Sequence, residues 1–375
     1  MARAKSAQIQ RHFSELTEPR RGRVIYPLVN IVAIAVCAVI AGADDFVSIA
    51  AWARHKRDWL ARFLDLDSGI PSHDRFNAVL AAIRPAEFEK CLLNWITALH
   101  EITAGQVVAI DGKALRRSFD KGTGKSAIHM VSAWATANHV SLGQVVTDAK
   151  SNEITAIPVL LQMLEISGAL VTIDAMGCQT EIAGAIVAGG ADYVLAVKGN
   201  QPTLHAAIEE FFLKHVEDGF AKVAAGEHES SEKGHGRKET RTYLICDAPE
   251  ALADRGRWPG LRRIGVAIGE GTRGGKPSGD VRYYITSRDL DAKGFAAAVR
   301  GHWSIENSCH WSLDVTFGED QSRLRRGHAD ANFSALRRTA LSLLKNNKSE
   351  KIGLKGKRLI AATSDAYLEQ VLFSK

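Results

Sequence analysis

Two short apolar runs in this chain each end in an aspartate. "VVAIDGK" places Asp111 behind residues 107–110, and "LVTIDAM" places Asp174 behind residues 170–173. A carboxylate carried into an apolar interior costs several kcal/mol unless something compensates it. A salt bridge or a cap would account for either aspartate alone. Two Ile-Asp strand ends in one chain point instead to the open edge of a sheet, where sites form at strand ends in α/β proteins.

The surrounding pattern supports a sheet. From Gln106 onward, "QVVAIDG", "HMVSAWAT" and "SLGQVVTDA" read as three strands separated by turns. "AIPVLLQMLEI" then has helical periodicity, "GALVTIDAM" returns to strand, "TEIAGAIVAGG" to helix and "ADYVLAVKG" to strand. This order predicts a mixed α/β sheet with helices on its faces. If the first and fourth strands are neighbours, Asp111 and Asp174 lie close together. Like charges at that distance raise each other's pKa unless a cation sits between them. Hard oxygen ligands that leave several positions open suit Mg²⁺, with Mn²⁺ as a substitute.

Flanking regions differ in texture. Residues 1–103 predict a helical domain, with helix starts at Ser72 and Pro85. "TLHAAIEEFFLKHV" is a helix, "GEHESSEKGHGRKET" reads as a polar loop, and "RTYLICD", "LRRIGVAIG" and "VRYYITS" alternate like antiparallel strands. Residues 220–288 are thus expected to be a β-rich insertion within a core spanning 104–346. Helix resumes at Ala292, "NFSALRRTALSLLKNN" is a last basic amphipathic helix, and 347–375 are read as a tail.

Composition narrows the partners. The chain carries 48 Lys and Arg against 42 Asp and Glu, a net charge of +6. That permits a polyanion but does not demand one, because clustering matters more than the total. The five cysteines, Cys37, Cys91, Cys178, Cys246 and Cys309, contain no Cys-x-x-Cys pair, which argues against a disulfide framework and a thiolate zinc site. A reducing, cytoplasmic setting follows. Residues 24–43 imitate an export signal, being uncharged and preceded by Arg20, Arg21 and Arg23. Pro27 and Asn30 inside the run, and the amphipathic pattern that continues directly from Asp44, favour a buried helix with no membrane partner.

The stretch "HWSIENSCHWSLDV" sets His302, Glu306 and His310 four residues apart. On an α-helix at about 100° per residue they share an arc of roughly 80°. A zinc helix is one reading, although His-Glu-x-x-His is absent and no fourth soft ligand is evident. The other is that Glu306 is a third carboxylate, completing a site for two metals in phosphoryl transfer. Trp303 and Trp311 are expected to pack this helix down.

Several long motifs then occur in order. They are "VAIDGKALRRS", "HMVSAWAT", "AKSNEITAIPVLL", "VTIDAMGCQTEIA", "ADYVLAVKGNQPTL", "RGHWSIENSCHWSLDVTFGEDQSR" and "ANFSALRRTALSLLK". Together they closely resemble the DDE insertion-sequence transposases of the H-repeat-associated group, and "YPL…AGADDF…IAAWA…GIPSHDRF" resembles the helical domain that accompanies them. The resemblance implies an RNase H-like core with a β-rich insertion, and carries Asp111, Asp174 and Glu306 over as a metal-binding triad. It implies an endonuclease that cuts double-stranded DNA at inverted-repeat ends and joins them to target DNA, acting as a homodimer or higher assembly. Many relatives surround the glutamate with Tyr-x2-Arg-x3-Glu-x6-Lys; here those places hold Val299, His302 and Leu313. Only Glu306 carries over, with Arg300 and His302 as substitutes for the phosphate contact. Lys113, Arg116, Arg117, Lys198, Asn200 and Gln201 are the remaining candidates for DNA, since Lys and Arg supply most phosphate contacts.

Other readings compete. A non-catalytic or domesticated transposase-derived DNA-binding protein would keep the fold without the activity. The zinc reading leaves Asp111 and Asp174 unexplained. The export question has a direct check: expressed without detergent, the full chain should fractionate with cytosol and begin at or near Met1. Recovery in membranes, or a mature start at Asp44, would overturn the buried-helix reading of residues 24–43.

Overall fold

A computed structural model describes residues 11–99, 106–119, 126–147, 153–234, 237–273 and 276–373. It divides into two compact units, one of Ala104–Asp111 with Glu153–Ile305, the other of Met1–Thr103, Gly112–Asn152 and Glu306–Lys375. The expected mixed α/β class holds, with helices ahead of the sheet.

The first unit is built on a sheet. Strands β1 (Val107–Ala114), β4 (Leu170–Ile173) and β5 (Asp192–Val197) run parallel, in the order β1-β4-β5. All four residues of β4 are buried, as a parallel strand covered on both faces requires. Parallel neighbours need a crossover. Helix α7 (Thr180–Ala188) supplies it between β4 and β5, and α6 (Glu153–Met163) leads into β4. Helix α8 (Pro202–Glu217) follows β5, with Pro202 in its first turn, where a missing N–H costs nothing.

Four further strands extend the same sheet. β6 (Ala225–Gly234), β7 (Arg237–Asp247), β8 (Arg263–Arg273) and β9 (Lys276–Thr286) form antiparallel pairs, and β9 joins β5 through Val194↔Thr286. The segment "GEHESSEKGHGRKET", expected to be a polar loop, is mostly β6 and the start of β7. Its backbone pairs from Ala225↔Cys246 to Gly234↔Arg237, with residues 235–236 outside the described residues. Within it Glu227, Glu229 and Ser231 are exposed while His228 and Ser230 are half-buried. An edge strand keeps the period of two without apolar residues because only one of its faces is covered, so hydrophobic patterning misses it.

Helix α9 (Ala292–Ser304) starts at Asp291, whose carboxylate accepts from the Gly294 amide at 2.6 Å. It lays Phe295 against Tyr243 and Tyr284, with ring centroids 6.1 and 5.4 Å apart. Gly265 lies beneath: a Cβ there would stand 2.6 Å from the Phe295 ring, so β8 needs glycine at that place.

The second unit contains α1 (Leu28–Ile40), α2 (Phe46–His55), α3 (Arg57–Leu60), α4 (His73–Ala82) and α5 (Pro85–Leu99). It also holds the antiparallel pair β2 (His129–Ala135) and β3 (Val140–Thr147), and helices α10 (Trp311–Phe317), α11 (Ala329–Asn346), α12 (Leu354–Thr363) and α13 (Asp365–Phe373). Past Ala114 the chain of β1 pairs here, with the Leu115 amide donating to Ile128 O at 2.9 Å.

Helix α1 starts after Pro27, and residues 30–40 are buried, including Asn30, whose amide donates to Asp65 O. Val24 and Ile25 remain exposed, so the helix is shorter than the uncharged run. Among the described residues no helix is long and apolar enough to cross a membrane.

Helix α11 is the core of this unit, buried from Ala329 to Leu344 and packed against α1, α4, α5 and β3. Its arginines, which the basic amphipathic pattern places on the helix surface, are buried instead. Arg337 and Arg338 are 1% and 2% exposed; Arg338 Nε donates to Gln144 Oε1 at 2.7 Å, and Arg337 lies 4.4 Å over the Phe333 ring. The last residues are not a free tail. Lys56 pairs with Asp365 at 2.7 Å, Arg62 with Glu369 at 3.0 Å, and Trp59 Nε1 donates to Glu369 at 3.1 Å.

Two buried carboxylates in this unit respond oppositely to burial. Glu319 accepts from Lys113 at 2.9 Å and from Ser334 at 2.7 Å, and although burial alone would raise its pKa, Lys113, Arg338 and Arg337 bring it down to about 2. Glu89 is pushed up to about 8 by burial, with Arg338 and a hydrogen bond from Gln144 opposing only in part. A carboxyl whose folded pKa is raised binds more protons folded than unfolded, so its contribution to stability falls as pH rises from about 4.5 to about 8. Glu89→Gln should therefore flatten that decline. Denaturant unfolding at pH 5 and pH 8 should show the variant gaining on the wild type at the higher pH, and parallel curves would refute the assignment.

Candidate active site

Strands β1 and β4 pair in parallel as Val107↔Leu170 through Ile110↔Ile173. Asp111 and Asp174 are each the next residue after this pairing; β4 ends at Ile173, whereas β1 runs on through Asp111 to Ala114, so Asp111 lies inside its strand and not at the strand end expected. Adjacent strands stand about 4.8 Å apart. Asp111 is half-buried and Asp174 exposed.

Asp174 also organises its own turn. Its Oδ1 accepts from the amides of Met176 at 3.1 Å and Gly177 at 3.4 Å, the pattern of an Asx turn. The turn is tight: a Cβ on Gly177 would lie 2.3 Å from Ile173 Cγ2. Asn200 and Gln201, at the start of α8, donate to carbonyls of this turn, and Lys198 just before them is exposed.

Helix α9 brings His302 to the same strand. Its Nδ1 is 3.3 Å from Thr172 Oγ1, two residues before Asp174. Burial lowers the pKa of this ring, the Asp174 carboxylate opposes that shift, and Arg282 adds to it. A ring held below its ordinary pKa is neutral at pH 7 and poorly suited to replace an arginine on phosphate. Arg300 meets Glu232 at 2.5 Å, and the Arg282 guanidinium lies 4.6 Å over the Trp303 ring.

The other candidates belong to the second unit. Lys113, expected to face DNA, is tied to Asp314 and to Glu319, with a side chain only 10% exposed. Arg116 pairs with Asp320 at 3.3 Å while its side chain stays 82% exposed, and Arg117 is exposed. Glu306, the first residue of its segment in that unit, is exposed. It lies in Ile305–His310, where the helix widens to a π turn before α10. The α-helical arc drawn through His302, Glu306 and His310 therefore breaks: His302 is half-buried, Glu306 exposed and His310 buried. π turns inside helices occur frequently at functional sites. Trp311 does not pack its helix down, being 60% exposed. Among the described residues no three His, Cys, Asp or Glu side chains are grouped to hold a metal ion.

Sequence reasoning passed over Thr172, Asp314 and Glu319. Thr172 sits inside "VTID", where a polar residue in an apolar run was the available signal. The partners of Lys113 are distant in the chain and left no local mark.

Comparison with known proteins agrees with the motifs. The family described as Transposase DDE domain matches residues 103–343, and the one described as DDE_Tnp_1-associated matches residues 10–96. The Escherichia coli O157:H7 protein named "Putative transposase YncI" is 46% identical over 359 residues, covering 95% of this chain and 91% of that one. The "H repeat-associated putative transposase YhhI" of Escherichia coli strain K12 is 42% identical over 375 residues, covering 97% of each. A solved piggyBac transposase synaptic complex with hairpin DNA aligns with a TM-score of 0.42 and 10% identity, over 99% of this chain and 78% of that one, too weak a likeness to argue from. The extent and identity of the sequence matches decide the matter: this chain belongs to the DDE transposase family, within its H-repeat-associated group.

Proposed function

We propose that the protein is the transposase of a bacterial insertion sequence, cutting double-stranded DNA at inverted-repeat ends and joining the freed ends to target DNA. One observation carries the reading. Asp111 and Asp174 each follow the last paired residues of two adjacent parallel strands, beside the end of β4, where an α/β sheet forms its sites.

The donor set fits a hard divalent cation. Two carboxylates side by side repel unless a cation separates them, and Mg²⁺ is held by one or two carboxylates while keeping several waters. Asp111, Asp174 and Glu306 are the residues assigned to hold it, with Mn²⁺ as a substitute. Bound there, divalent ions would polarise the scissile phosphate and activate a water.

The chain's own residues do the remaining work. The Asp174 turn engages Oδ1, leaving Oδ2 as the donor to a cation. Exposed Arg116, Arg117 and Lys198 hold the DNA backbone and set its register without reading sequence. Cleavage leaves a 3′-hydroxyl, whose oxygen then attacks a phosphorus of the target strand and displaces another 3′-oxygen. No side-chain nucleophile is used. Joining two ends requires two copies or more on DNA.

Asp111→Asn, Asp174→Asn and Glu306→Gln should each lower strand cleavage by roughly 10²-fold or more while DNA binding survives, because these carboxylates hold metal and not phosphate. The check is cleavage of the flanking inverted repeats by purified protein, with Mg²⁺ and with Ca²⁺. Near-normal cleavage by one variant removes that residue from the site, and none by the wild type favours a DNA-binding protein without activity.

Salt dependence tests the backbone contacts separately. Arg117→Gln and Lys198→Gln should each reduce the slope of log affinity against log salt by about 0.9, equally for element ends and unrelated DNA. An unchanged slope would remove that residue from the interface.

A further inference from the structure

Asn200 and Gln201 have the composition of DNA contacts, yet their amides point back into the protein. Asn200 Nδ2 donates to Ala175 O at 2.6 Å and lies 3.5 Å from Cys178 O. Gln201 Nε2 donates to Cys178 O at 3.0 Å and lies 3.4 Å from Gln179 Oε1. Each acceptor belongs to the turn that follows Asp174.

That turn is held from two sides. Inside it, Asp174 Oδ1 accepts the amides of Met176 and Gly177. Outside it, Asn200 and Gln201 take its carbonyls. The packing below leaves little slack, since Cys178 is fully buried and Gly177 has no room for a Cβ. The brace is carried on the exit of β5, which is paired to β4 through Leu170↔Asp192 to Ile173↔Leu195. The strand beside Asp174 thus supplies the groups that fix its turn.

We propose that Asn200, assisted by Gln201, is a positioning residue for Asp174: it holds the 174–179 turn in the shape that presents the second carboxylate oxygen to a divalent cation. This rests on the proposed metal-holding role of Asp174. Both oxygens of an ionised carboxylate accept hydrogen bonds or ligate. One is engaged by the turn, so the direction of the other depends on the shape of the turn. Groups that orient a metal ligand typically change metal affinity or activity 10–100-fold when removed. An amide is suited to the task because its two N–H groups reach carbonyl oxygens without adding charge beside the site.

The test uses the full chain and the variants Asn200→Ala, Asn200→Asp and Asn200→Gln. Hydrogen exchange at the Met176 and Gly177 amides reads the turn without reference to activity. Mn²⁺ binding without DNA reads the ligand, and steady-state cleavage separates kcat from KM for DNA. Alanine and aspartate should speed exchange at both amides and raise the Mn²⁺ midpoint by roughly 10–100-fold, and glutamine should recover part of each. KM for DNA should stay within about twofold. Unchanged exchange and an unchanged Mn²⁺ midpoint, with a raised KM for DNA, would make Asn200 a DNA contact and overturn the proposal. Should Asn200→Ala fail to fold, Gln201→Ala removes one bond of the same brace and is read identically. Asp174→Asn separates the two ideas. If it cleaves normally while Asn200→Ala loosens the turn, the metal role of Asp174 falls, and with it the purpose of the brace. If it is inactive while Asn200→Ala leaves exchange and Mn²⁺ binding unchanged, the brace alone falls.

Discussion

The parallel pairing of β1 with β4 is the constraint on which the candidate site depends. A parallel ladder aligns residues at equal steps along both strands, so once Ile110 faces Ile173, the next residues must emerge together. A slip of one residue would turn every β4 side chain to the opposite face and separate the two aspartates. All four residues of β4 are buried, so a slipped register would have to repack both of its faces. The aspartates are next to one another because of the register of the apolar residues before them.

What surrounds the pair is polar support drawn from later in the chain. Thr172 and His302 tie α9 to β4, and the amides of Asn200 and Gln201 take the carbonyls of the turn after Asp174. These groups look like ligands or phosphate contacts when read by residue type. In the fold they bond to other groups of the protein itself. The same applies in the second unit, where Lys113, Gln144, Ser334 and Arg338 surround the ionised Glu319 and its acidity follows from that enclosure. Breaking one such partnership strands a buried charge, so each residue is held by the others.

Helix α11 shows how far charge can mislead. "NFSALRRTALSLLKNN" has the amphipathic basic look of a surface helix, yet Arg337 and Arg338 are buried to within a few per cent. Their guanidiniums are held by Gln144, an aromatic face and the backbone of the turn after α1. Nothing in the local pattern tells an arginine facing water from one facing a glutamine 194 residues away. The polar β6 failed for a related reason: it lies at a sheet edge, where backbone pairing and not apolar burial makes the strand.

By itself the sequence determined the element types of the central region, the helical N-terminal region, three of the four later strands (β7, β8 and β9 but not β6) and the family. Those follow from local periodicity, from turn residues and from long ordered motifs, all of which lie along the chain. It also singled out Asp111 and Asp174, because a carboxylate closing an apolar strand is anomalous on energetic grounds alone. Tertiary structure decided which strands are neighbours, and so that these two aspartates are side by side. It decided that the glutamate helix widens at Ile305–His310, and which of the basic and amide candidates remain exposed. Those outcomes depend on partners far apart in sequence, whose charges and hydrogen bonds act only once folding has brought them within a few ångströms.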